Sequence, residues 1–166
     1  MSPAAAINPA PPRSSGASTP DDLELTDLLR AFRQLELQHG RVMHHESTRL
    51  GMGATDIRGL LFIGEAGDDG TSPKFVADFL ELSTGATTSL VDRLVDSGTV
   101  VRRPHPSDRR SVVLVLTDVG RDVVVRVAEV YREALSDSVA EADRHALAAT
   151  FRTVAASLAA TSPCAG

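Results

Sequence analysis

At 166 residues the chain has room for one packed domain, or for a binding lobe with a helical partner lobe, and none for two large independent domains. Its 42% apolar content suits a globular protein, and with no Trp, one Tyr and five Phe the core must be built from Leu, Val and Ala, which favours helices. The net charge of −5 disfavours indiscriminate nucleic-acid binding, and a single cysteine, Cys164, excludes an internal disulfide or a cysteine-based metal site.

The N-terminus has no basic leader, and no stretch approaches about 18 uninterrupted apolar residues, so no membrane partner and a cytoplasmic location are expected. Residues 1–20 are rich in Pro, Ala, Ser and Thr, bury little, and read as a disordered arm. Arg13 is its only basic residue, which argues against an arm that grips DNA.

Residues 21–50 form a long helical pattern. Leu25, Leu28, Leu29, Phe32, Leu35, Val42 and Met43 recur at steps of three and four, and Gly51 stops the run. A helix this long needs a partner surface, so dimer packing is expected. His39, His44 and His45 lie at i, i+5 and i+6, not the i, i+4 spacing of a helical metal site, so no metal is expected. His39 falls on the apolar stripe and is expected to be packed. His44 and His45, with Arg49, are candidate polar anchors of an effector pocket.

A second helix begins at Ala54 or Thr55, with Ile57, Leu60, Leu61 and Ile63 as its apolar positions. Gly67-Asp68-Asp69-Gly70 reads as a plain turn, lacking the ligands of a calcium loop. Ser72-Pro73 opens a third helix, to about Leu80, which is expected to bury Val76, Phe79 and Leu80. Ser83 caps a fourth, in which Ala86, Leu90 and Leu94, backed by Val91 and Val95, point inward. Ser83, Thr84, Gly85, Thr87, Thr88 and Ser89 crowd its N-terminal half. Small hydroxyl side chains and free backbone N–H groups at that end suit a DNA groove.

Gly98 ends the helix, and Val100–Pro104 alternates into a strand ending in Arg102-Arg103. Pro106-Ser107-Asp108 is turn chemistry, and 111–116 is a run of β-branched and aliphatic residues, a strand partly buried on both sides. From Gly98 to Val112 four arginines face one aspartate, a local charge of +3 on an acidic protein. A hairpin charged at its tip is costly as core and well explained as a wing on the minor groove or the backbone. Thr117 caps a fifth helix, and a sixth from about Glu141 places Leu147, Phe151, Val154 and Leu158 on one face.

The run LSTGATTSLVDRLVDSGTVVRRPHPSDRRSVVLVLTDVG resembles the MarR family of bacterial transcription regulators: recognition helix, wing, Asp108 with Arg110, then Leu116-Thr117-Asp118-Val119-Gly120. The likeness covers roughly 23–158. It implies a mainly α fold with a small β-hairpin wing, namely a winged helix-turn-helix lobe at 54–118 and a dimerisation lobe from 21–50 and 119–160. It further implies an obligate homodimer with interleaved terminal helices and double-stranded DNA as partner. Arg110 would enter the minor groove, Asp108 would orient the wing and its arginine, Arg109 would help with backbone contact or wing structure, and Arg103 is a further DNA-binding candidate. Thr84, Gly85, Thr87 and Thr88 would lie in the major groove, with Ser72 and Lys74 near phosphate. Arg93, a turn past the groove-facing end, belongs in a structural ion pair.

Two departures stand out: Ser89 replaces a residue often basic in the family, and His105 stands where many members have Asp. The histidine would add positive charge below about pH 6.5. The absence of Trp and of an N-terminal reactive cysteine disfavours the urate- and peroxide-responsive classes. The expectation is a cytoplasmic, non-enzymatic, homodimeric repressor that binds a palindromic operator, needs no cofactor and responds to a small aromatic or phenolic ligand. The alternative is a winged-helix module for protein contact.

Overall fold

A computed structural model describes residues 19–105, 107–108 and 111–161. The arm up to Ser18 with Arg13, the wing-tip residues Pro106, Arg109 and Arg110, and the tail with Cys164 lie outside the described residues. Among the described residues six α-helices and one hairpin follow in the order α1 (Pro20–Leu50), α2 (Ala54–Glu65), α3 (Pro73–Leu80), α4 (Thr84–Asp96), β1 (Val100–Pro104), β2 (Val112–Leu116), α5 (Asp118–Ser138) and α6 (Arg144–Thr161). Short 3-10 turns at Gly67–Asp69 and Glu141–Asp143 precede α3 and α6, so the sixth helix starts three residues later than its sequence pattern suggests. The chain divides into two compact units, one ending at Val42 and one beginning at Met43.

In the first unit, α1 starts with a reciprocal cap: Thr19 N–H donates to Asp22 Oδ2 at 2.9 Å and Asp22 N–H to Thr19 Oγ1 at 3.2 Å. Leu25, Leu28, Phe32 and Leu35 remain exposed on this unit, and so does His39, which was expected to be packed.

In the second unit, α1 closes with Gly51 at φ +63°. Met52 N–H reaches the Ser47 carbonyl at 3.1 Å and Gly51 N–H the Thr48 carbonyl at 3.4 Å, the paired bonds of a helix stop that needs a left-handed residue. The main core gathers Leu60 and Ile63 of α2, Val76 of α3, Leu90, Val91 and Leu94 of α4, Val100 of β1, and Leu114 and Leu116 of β2. Burying each of these large side chains contributes about 1.5–3 kcal/mol. A second cluster joins Met43, Ile57 and Val127.

The strands pair antiparallel with Val100 opposite Leu116, Arg102 opposite Leu114 and Pro104 opposite Val112. Thr71 adds a further rung to the outer edge of β2, its N–H donating to the Leu114 carbonyl at 3.1 Å and its carbonyl accepting from Leu114 N–H at 2.8 Å. Consecutive residues Val113 to Leu116 are all buried, as their unbroken apolar run requires.

Two burial expectations need correction. Phe79 is 56% exposed. It stacks on Phe62 of α2 with ring centroids 4.2 Å apart, because an eight-residue helix has only one face for the core and Val76 occupies it. On α4 the inward stripe begins at Thr87, 6% exposed, while Ala86 faces out. Thr87, Leu90, Val91 and Leu94 follow the three-and-four stepping of a helix face, whereas repeated steps of four drift off it.

Candidate nucleic-acid interface

Local caps set the two helices of the site. Ser72 Oγ accepts from Phe75 N–H and Ser83 Oγ from Ala86 N–H, each at 3.3 Å, so α3 and α4 both start on a serine. Within α4, Thr87 Oγ1 donates to the Ser83 carbonyl at 2.9 Å, Thr88 Oγ1 to Thr84 at 3.0 Å and Ser89 Oγ to Gly85 at 3.1 Å. These bonds commit each hydroxyl hydrogen to the helix backbone, leaving the oxygen lone pairs of exposed Thr88 and Ser89 available, while Thr87 is buried. Such a surface accepts from base amino groups and packs against thymine methyls.

An open cleft of roughly 560 Å³ lies between α3, α4 and β1. Its lining includes Lys74, Thr84, Thr87 and Thr88, four residues the sequence had placed against DNA. Thr87 presents little of itself there, being 6% exposed. Ser83 and Gly85 are exposed beside the cleft without lining it, and Arg103 is exposed on the opposite face of β1.

The cleft also holds Arg102, for which the sequence had suggested no role. Its guanidinium donates to Asp92 Oδ1 at 2.6 Å, tying the hairpin to α4 across a half-exposed ion pair. Strand alternation carries the signal that would have found it: Arg102 shares its face with buried Val100, whereas Arg103 shares its face with Val101.

At the wing turn, Ser111 N–H donates to the Asp108 carbonyl at 3.0 Å and Ser111 Oγ to Asp108 Oδ2 at 2.5 Å. Ser107 N–H donates to His105 Nδ1 at 3.2 Å, which requires that nitrogen to be unprotonated. His105 lines a second cleft, of roughly 350 Å³, with Ser72, Asp69, Phe75 and others.

Arg93 is in an ion pair. Its Nη2 donates to Asp56 Oδ1 at 2.6 Å, and its Nε lies 3.2 and 3.3 Å from the two carboxylate oxygens. Hydrogen bonding to Asp56 raises the Arg93 pKa above its ordinary value, against the opposing effect of burial.

The three candidate effector residues sit at the end of α1, where His45 and Arg49 flank the carboxylate of Glu46. Glu46 is 5% exposed; it accepts from Arg49 Nη2 at 2.9 Å and Nε at 3.1 Å, and His45 Nδ1 lies 3.3 Å from its other oxygen. Burial pushes the Glu46 carboxyl up, and the bonds from Arg49 and His45 outweigh it to hold the carboxyl below its usual range. His44 is exposed two residues before Glu46, and both clefts described above are lined by other residues. Among the described residues no group of three or more His, Cys, Asp or Glu could hold a metal ion, and no helix is long and apolar enough to cross a membrane.

Two helices joined by a tight turn, followed by a paired hairpin that flanks the second helix, define a winged helix-turn-helix. Residues 50–111 match the model of the MarR family. An uncharacterized HTH-type transcriptional regulator of Bacillus subtilis, YcgE, is 36% identical over 96 residues, 57% of this chain and 59% of that protein. The chain thus spans less than two thirds of this curated relative. Rv1404 from Mycobacterium tuberculosis is 28% identical with a TM-score of 0.57, over 90% of this chain and 100% of that one. A mutant of MepR from S. aureus, bound to an oligodeoxyribonucleotide, shares the fold at 17% identity with a TM-score of 0.56, over 79% of this chain and 97% of that one. Over residues 50–111, which hold the helix-turn-helix and the hairpin, the chain is similar to the MarR family.

Proposed function

We propose that this chain is a homodimeric transcriptional regulator, a ligand-responsive repressor that sets two copies of α4 into successive major grooves of a palindromic operator. The observation that carries the reading is the convergence of Lys74, Thr84, Thr88 and Arg102 on one open face at the start of α4, beside the hairpin. Lys74 and Arg102 supply charge for phosphates, and the hydroxyl-rich helix end supplies base selection. That MepR has been captured on an oligodeoxyribonucleotide supports the same use of this fold here.

A second copy of the chain accounts for the apolar surface left on the terminal helices: Leu28, Phe32 and Leu35 on α1, and Phe151, Val154 and Leu158 on α6. Two-fold symmetry then demands two half-sites about one helical turn apart. Arg49 and the adjacent His44 and His45 supply polar anchors for a small aromatic or phenolic effector. Its binding would shift the spacing of the two α4 helices and release DNA. The regulator works in the cytoplasm, without a cofactor.

Titrating the purified full chain into a labelled fragment of its own upstream intergenic DNA tests the reading by fluorescence anisotropy. The expected result is saturable binding whose affinity falls steeply with salt, since phosphate contacts release counterions. Absence of binding at low salt would sink it, and a flat salt dependence would point to the protein-contact alternative.

A further inference from the structure

Asp56, the third residue of α2, is 7% exposed, and its carboxylate has two sets of partners. Oδ2 accepts from Gly53 N–H at 3.2 Å, closing the first turn of α2 at the junction with α1. Arg93, on the C-terminal half of α4, supplies the remaining bonds, from 37 residues away. A β-carbon on Gly53 would stand 3.1 Å from Oδ2, so the backbone there leaves room for the carboxylate and little more.

A helix cap alone needs one acceptor, which a serine supplies without burying charge. A carboxylate this buried costs several kcal/mol unless it is paired, and here the partner comes from the helix that faces DNA. The Arg93 side chain is 54% exposed, so its own burial does not require the contact. Thr84 lies nine residues before Arg93, about 13 Å along the helix axis at 1.5 Å per residue. A tilt of α4 by about 10° around this end moves Thr84 by about 2 Å, enough to break hydrogen bonds to a base edge.

We propose that Asp56 and Arg93 are positioning residues for DNA recognition: through this pair the α1–α2 junction sets the angle of α4, with neither residue touching DNA. The inference rests on the DNA-binding reading above. It makes a prediction of unusual sign. Removing a negative charge from a DNA-binding lobe should, by long-range electrostatics alone, strengthen binding. Removing this one weakens it.

The experiment measures operator affinity as a function of salt for the full chain and for Asp56→Asn, Arg93→Gln, their double variant and Asp96→Asn, with circular dichroism of each. Asp96, exposed at the end of α4, serves as the charge control. Expected are losses of about tenfold for Asp56→Asn and Arg93→Gln, no further loss in the double variant, and no loss for Asp96→Asn. The salt slope should match wild type throughout. Asp56→Asn binding as tightly as wild type, or a slope reduced by about one for Arg93→Gln, overturns the inference; the latter would place Arg93 on phosphate. If Asp56→Asn is unfolded at the assay temperature, Arg93→Gln decides alone, because it leaves the Gly53 cap in place. Wild-type protein that binds no DNA would instead remove the underlying reading.

Discussion

Gly120 lies against the carbonyl of Thr99 so closely that a β-carbon at position 120 would stand 2.0 Å from that oxygen. The contact locks the first turn of α5 to the residue that enters the wing. The same carbonyl accepts from Thr117 N–H at 3.0 Å, and Thr117 Oγ1 donates to the Gly98 carbonyl at 2.7 Å while accepting from Gly120 N–H at 3.1 Å. Thr99 is 3% exposed and cannot swing away without breaking these bonds. Gly120→Ala should therefore cost about 3 kcal/mol or more in stability, as overpacking against rigid backbone does. Chemical denaturation checks it: an unchanged midpoint would mean that the backbone yields.

The local marks of this architecture were legible because each acts within a few residues. Ser72-Pro73, Ser83 and Thr117 sit where their side chains cap α3, α4 and α5, and Gly51 sits where α1 needs a left-handed exit. Partners distant in sequence were not. Periodicity marks Arg93 as off the groove but cannot select Asp56 among 22 acidic residues. Nor does composition show Thr71 completing the edge of β2, or Asp92 holding Arg102 in the cleft. Phe79 misled because an apolar residue on a short helix has neighbours that only packing reveals, here the ring of Phe62.

Arg110→Ala should weaken operator binding by about 1–3 kcal/mol and lower the salt slope by about one if its guanidinium meets phosphate. Arg102→Ala should weaken binding through loss of cleft charge, while Arg102 in the free protein contributes little stability because its pair with Asp92 is half exposed. Anisotropy titrations at several salt concentrations separate these effects. Unchanged affinity in both variants would move the DNA face away from the hairpin.

Acid should expose the role of Glu46. Its folded-state pKa lies below the ordinary value, so the pairing contributes stability that is fully present above the unfolded carboxyl range and lost as pH falls through the folded pKa. Glu46→Gln carries no charge to titrate, so the difference in melting temperature between wild type and variant should be largest near neutrality and shrink below about pH 4.5. A constant difference across that range would mean that Arg49 and His45 do not stabilise the charged form. The same variant tests the effector reading, since Arg49 loses its closest anion and should accept an acidic aromatic ligand more readily.

In the proposed dimer the exposed stripe of α1 would hold the two copies together. Leu28 and Leu35 are a heptad apart, 66% and 56% exposed, with Phe32 between them at 40%. On a helix of 31 residues, about 46 Å long, this stripe is the surface that a second copy would cover in the proposed dimer. Burying each leucine contributes about 1.5–3 kcal/mol, and symmetry counts each contact twice. Leu28→Glu with Leu35→Glu should therefore weaken the dimer by roughly a thousandfold or more. Sedimentation velocity across a concentration series should show the proposed dimer for wild type and monomer for the variant, while circular dichroism stays native-like. DNA affinity should fall with it although no DNA contact is altered, because one lobe on an acidic protein forfeits the effective concentration of its twin. A variant that stays dimeric at low protein concentration would assign the interface to another surface, with Phe151, Val154 and Leu158 of α6 the next to change.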